Sequence, residues 1–159
     1  MASTITSSTL NVTIKEQVSL NNWTLGATNV VSFTGIAEVA KRIVSCPSGS
    51  TTTVTNFGAT VATAASDLDV GNCKYYRLTN KDDTVNIEVA VVGDTDTSYT
   101  QKLGPGESLV LGATEALMKG VASTTPDFGT MEDIGSIQVK PVDPSAGEDT
   151  DIEFFAASA

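Results

Sequence analysis

The sequence predicts an all-β chain, an antiparallel two-sheet sandwich of jelly-roll type, and three observations carry that prediction. Apolar residues recur at every second position in several runs; Val85, Ile87, Val89 and Val91 are the cleanest, with Asn86 and Glu88 on the other side. Turn chemistry separates the runs: Asn80-Lys81-Asp82-Asp83 precedes that strand, and Gly104-Pro105-Gly106 follows the next. No segment longer than a turn or two repeats apolar residues at helical spacing. Glu115 to Lys119 comes closest, and Gly112 and Gly120 bound it so tightly that a strand is the better assignment.

The first expected strand places Leu10, Val12, Ile14, Val18 and Leu20 on one parity and Thr9, Thr13, Lys15, Gln17 and Ser19 on the other, which predicts one buried and one wet face. Asn21-Asn22 turns the chain. Val30, Val31 and Phe33 form a second run ending at Gly35, and Val39 to Cys46 a third, broken by Pro47-Ser48-Gly49-Ser50. Thr51 to Phe57 has the β-branched richness of a fourth. From Gly58 to Gly71 the residues are small, as in a surface connection holding at most one short strand. Strands then follow quickly at Lys74 to Thr79, Thr84 to Val92, Ser98 to Leu103, Glu107 to Leu111 and Ala116 to Ala122, with a final pair at Ser136 to Val142 and Asp151 to Phe155. Roughly nine or ten short strands make two packed layers.

At 159 residues the chain is the size of one domain, expected to span 1–159. Nine basic residues against nineteen acidic ones leave a net charge of −10, which opposes binding to free nucleic acid or an anionic membrane surface. Residues 1–8 lack both the basic and the apolar regions of a secretory signal, so synthesis in a cytoplasm is expected. Without export, the glycosylation sequons at Asn11-Val12-Thr13 and Asn22-Trp23-Thr24 are read as coincidence. Cys46 and Cys73 are either buried thiols, the commoner fate in a reducing compartment, or a bridge between strand ends.

Histidine is absent, which removes the commonest general base, the usual Ser and Cys nucleophile pairs and the commonest metal ligand together. Asp94-Thr95-Asp96-Thr97-Ser98 resembles the start of a calcium loop, but Tyr99 stands where that loop needs glycine and no glutamate follows at position twelve. Asp149, Asp151 and Glu153 alternate along one side of the last strand as a wet sheet face would, and Asp82-Asp83 reads as a turn that bonds its own backbone. No enzyme activity, cofactor or metal is expected. Trp23, Tyr75, Tyr76, Tyr99 and Phe128 would suit a sugar platform, although packing is the commoner use of aromatics; neighbouring Tyr75 and Tyr76 must point to opposite sides of their strand.

Two stretches carry a family resemblance. Lys41 to Pro47 with the following Thr-rich strand and Asn56-Phe57-Gly58, and then Cys73 to Asn80, the Asp82-Asp83-Thr84 corner and Gln101 to Leu111, resemble a module of structural proteins in tailed bacteriophages, cyanophages especially. The resemblance covers about half the chain, from Lys41 to Leu111, and rests on turn and strand signatures. It implies a non-enzymatic virion protein, foremost a capsid decoration or cement protein that bridges subunits of the major capsid protein as a homo-oligomer, by analogy a trimer. A tail, neck or baseplate adaptor, or a carbohydrate-binding module, is the alternative. Residues 1–9 would serve as an N-terminal arm, and Leu10, Val12, Tyr75 and Tyr99 are the expected interface residues.

Overall fold

Alternation along the chain resolves into strands throughout a computed structural model that describes residues 6–58, 67–95, 97–120, 124–125, 128–142 and 148–159. In chain order they are β1 (Ser8–Lys15), β2 (Val18–Leu20), β3 (Trp23–Leu25), β4 (Thr28–Ile36), β5 (Glu38–Cys46), β6 (Thr52–Gly58), β7 (Asp67–Asp69), β8 (Cys73–Asn80), β9 (Asn86–Gly93), β10 (Ser98–Leu103), β11 (Ser108–Leu111), β12 (Ile134–Val142) and β13 (Thr150–Ser158). Among the described residues there is no helix, and so none long and apolar enough to cross a membrane.

Two sheets pack face to face, one ordered β10-β9-β12-β6-β7 and the other β11-β8-β13-β5. Their inner faces supply one continuous core: Ile87, Val89 and Val91 from β9 and Ile137 and Val139 from β12 meet Tyr76 and Leu78 from β8 and Ile152, Phe154 and Ala156 from β13. Every second residue points inward, so the sequence pattern and the layer match. Tyr76 stacks on Phe154 with ring centroids 5.9 Å apart. Its hydroxyl reaches Thr55 at 2.9 Å, giving each of two buried polar groups a partner.

The corner between β8 and β11 is built by two polar side chains. Asn80, fully buried, donates its amide N–H groups to the carbonyls of Val85 at 2.8 Å and Gly104 at 3.1 Å, while its own oxygen accepts from the Asp82 N–H at 3.1 Å. The Asp82 carboxylate accepts from the N–H groups of Val85 and Thr84 at 2.7 and 2.8 Å, and those bonds hold its pKa below the ordinary carboxylate value. Gly104-Pro105-Gly106-Glu107 is a tight turn closed by the Glu107 N–H on the Gly104 carbonyl at 3.1 Å; Gly106 has φ of 72°, the left-handed value a type II turn requires there.

Three expectations need correcting. Among the described residues thirteen strands replace nine or ten, chiefly because the N-terminal hairpin is cut into four pieces. The ladder is not wholly antiparallel, since β7 joins β6 in parallel with Phe57 opposite Leu68; residues 59–66 of the intervening connection lie outside the described residues. The strand expected from Ala116 to Ala122 is absent from its described part. Ala116 takes φ of 48° and donates its N–H to Asp133 at 2.6 Å, so the chain turns where the ladder would start, and only Met118 pairs, with Glu132. Residues 121 and 122 lie outside the described residues.

Candidate interaction surface

Residues 8–36 form one hairpin, whose stem and tip keep the same pairing offset from Thr9 to Thr34, with a register shift at its base between Ser8 and Thr9. In the stem Leu10 faces Phe33 and Val12 faces Val31; in the tip Val18 faces Leu25 and Leu20 faces Trp23. Asn21 and Asn22 close it with φ of 50° and 66°, both left-handed, as a two-residue type I′ turn demands. Between stem and tip the ladder narrows to one backbone bond, Glu16 N–H to the Ala27 carbonyl at 2.9 Å. Gly26 sits at this waist because any side chain would collide with the Glu16 carbonyl, a built Cβ lying 2.0 Å from it.

Residues opposite each other in an antiparallel pair share a face. Leu10, Val12, Ile14, Val18 and Leu20 therefore line the same side of the ribbon as Trp23, Leu25, Val31 and Phe33. Thr9, Asn11, Thr13 and Lys15 line the other, where Ser32 bonds Asn11 at 2.7 Å.

Only the root of the apolar side is covered. Leu10, Val12, Phe33 and Ile36 pack on Tyr75, Phe155 and Ala157, which lie on the outer face of the four-stranded sheet. Phe33 and Tyr75 have ring centroids 5.7 Å apart, and Tyr75 and Phe155 6.1 Å. Beyond this cluster every residue from Thr13 to Ser32 is exposed. Trp23 is 75% and Leu20 65% accessible.

The rest of that outer face is polar or open. Glu153 accepts from Arg77 at 2.6 Å and pairs with Lys41 at 3.2 Å, and these cations, Arg77 first, hold its pKa below the usual glutamate range. Val39 and Ile43 of β5 stand exposed beside them.

Of the four expected interface residues, Leu10 and Val12 sit half-buried at the root of the hairpin and Tyr75 lies buried under it, so these three meet one another inside the chain. Tyr99 is apart from them. It pairs with Val91 at the edge strand β10 and stays exposed. The broad apolar surface is instead the ribbon from Ile14 to Val31; the sequence parity grouped its outgoing half correctly, but the expectation that this face is buried fails beyond Val12, because no second layer covers Ile14, Val18 and Leu20. The returning half was missed; its one signal is the mirror image across the Asn21-Asn22 turn, with Trp23 reflecting Leu20 and Leu25 reflecting Val18.

Other candidates have local roles. Cys46 and Cys73 are free and buried in the core, and burial pushes both thiols up. Thr95, from the stretch likened to a calcium loop, gives its hydroxyl and its N–H to Glu132, the latter at 3.1 Å; Asp96 lies outside the described residues. Among the described residues no three His, Cys, Asp or Glu side chains converge as metal ligands do. A cleft of about 120 Å³ between Glu38, Asp67, Asp69, Asn72 and Ser158 is too small for most organic ligands. No family model, no curated protein and no solved structure matches the chain.

Proposed function

We propose that this chain is a non-enzymatic structural protein of a tailed-phage virion, a decoration or cement protein that stabilises the head by bridging capsid subunits. The observation that carries the reading is the hairpin: a rigid sandwich holds out a ribbon whose apolar side is in water from Ile14 to Val31. Contiguous exposed apolar surface of this kind marks a site of association, whereas catalysis needs groups converging on a cleft. The virion comes from the resemblance of Lys41 to Leu111 to phage structural modules.

Strand order supports the same reading. With β7 set aside, the layers run β5-β13-β8-β11 and β6-β12-β9-β10, so each chain-adjacent pair from β5-β6 to β12-β13 either stays within a layer or crosses over as a jelly roll does. That architecture is common to capsid and lectin domains. A lattice of such proteins would gain its strength from many weak contacts.

Particles lacking the gene product should show the test most directly: they are expected to lose resistance to heat, and added protein to restore it while labelling the head by electron microscopy. Labelling confined to the tail, neck or baseplate would make it an adaptor, and absence from particles would remove the reading. The lectin alternative has its own observation, Trp23 exposed beside Asn21 and Asn22. Specific retention on a glycan array, lost in Trp23→Ala, would favour it.

A further inference from the structure

We propose that copies of this chain assemble with one another through their hairpins, the overhanging apolar side of one arm lying against the same side of another. The inference goes beyond the virion reading, because it needs only the isolated protein.

The ribbon, first, is incomplete alone. A two-stranded hairpin without a covering layer is marginal in water, yet Val18, Leu20, Trp23 and Leu25 are more than half exposed and belong to neither buried apolar cluster of their own chain. Stacked sheets would close that side at about 10 Å, continuing outward the layer that Tyr75 and Phe155 begin at the root.

The best match for this surface, second, is itself. Among the described residues the exposed large apolar side chains outside the hairpin are dispersed, at Val39, Ile43, Tyr99, Val110, Phe128 and Met131. A standard interface takes about 800 Å² from each partner. Ile14, Val18, Leu20, Trp23 and Leu25, each half to three-quarters exposed, together with the less exposed Val31 and the backbone between them, offer an area of that order. Facing arms would also make a self-complementary, isologous contact, the kind that closes a two-fold dimer.

Charge, third, favours the same contact. Lys15 and Glu16 are the only charged residues between Thr6 and Ile36, so the arm is neutral and the net −10 belongs to the rest of the chain. Body-to-body contact is opposed, while contact at the arms keeps the bodies apart; the stretch from Thr13 to Asn22 reaches at most about 30 Å. Salt should therefore strengthen assembly by screening the bodies.

Trp23 is the sole tryptophan and reports on the arm directly. Sedimentation across a concentration series should give an integral multiple of the chain mass with Trp23 shielded from acrylamide. Dilution should return the single-chain mass and expose Trp23 together. Leu20→Asp combined with Leu25→Asp should weaken association at least roughly tenfold with an unchanged circular dichroism spectrum, and Ile43→Asp on the body should leave association intact. A wild-type chain that stays single at every concentration and salt, with Trp23 quenched freely, overturns the proposal, although the virion reading would survive if particles still bind the protein. Assembly that survives the double variant, or that Ile43→Asp abolishes, also overturns it by placing the contact elsewhere.

Discussion

The sandwich and the hairpin use the same alternating pattern and come to opposite fates. Ile87, Val89 and Val91 on β9 are fully buried, while Ile14, Val18 and Leu20, equally regular in spacing, stand in water. Alternation determines which side chains share a face; it says nothing about whether a second layer exists to cover that face. In the body the second layer is the rest of the chain. Over the arm only the root has one, and the difference between the two regions is the strongest statement the fold makes about function.

The largest expected effect tests the buried side of that comparison. Phe154→Ala removes a fully buried ring stacked on Tyr76, and should cost about 3–5 kcal/mol in denaturant unfolding. Leu20→Ala, in chain dilute enough to be single, should change stability by no more than about 0.5 kcal/mol, as an exposed substitution does. Equal losses for the two would mean that the tip is packed on the body after all.

Asn80→Ala comes next. The substitution strands the buried carbonyl of Val85, while that of Gly104 keeps the Glu107 N–H, and it frees the corner that Asp82 shares, which should cost about 1–3 kcal/mol. The denaturation midpoint should fall while sedimentation of the assembly at equal folded concentration stays the same. A change in assembly with no change in midpoint would show that this corner, rather than the arm, makes the intermolecular contact.

The reach of sequence reasoning follows the same division. Strands of the sandwich were legible almost to the residue: Ser98–Leu103 is as expected, and the runs at Thr84 to Val92 and Glu107 to Leu111 were placed within two residues of their observed starts. The opposite facing of Tyr75 and Tyr76 followed from pleating alone. That both are buried did not, because Tyr75 is covered by a hairpin distant in sequence. Ala116 and Met118 misled for a related reason: their apolar character suits a strand, but hydrogen bonds to Asp133 and Glu132 decide the backbone there, and those partners come from another segment. Trp23 and Leu25 were missed as a strand because three residues on a two-residue turn give too short a run to show a period.

The join between the two regions should respond at an intermediate level. Phe33→Ala cuts the contact with Tyr75 and should lower the free energy for opening the stem by about 1–2 kcal/mol, read as faster amide exchange in β1 and β4. Exchange in β9 and β12 should not change. If β9 and β12 loosened in step with the stem, the arm would belong to the cooperative unit of the sandwich, and the contrast drawn above would be one of exposure only.

The smallest effect concerns the part of the same outer face that the arm leaves bare. Arg77 and then Lys41 hold the Glu153 carboxyl below its ordinary value of 4.5, so its contribution to stability is complete above that pH and disappears as pH falls through the depressed folded-state value. Because Lys41 is well exposed, the whole contribution should stay below about 1 kcal/mol and shrink in high salt. Wild type and Glu153→Gln should accordingly differ near pH 7 and converge only in acid, once the folded-state carboxyl is itself protonated. A difference independent of pH would mean that neutral hydrogen bonding, not charge, joins β13 to β5 and β8 here, and that the stem of the hairpin is the main lock on this face of the sheet.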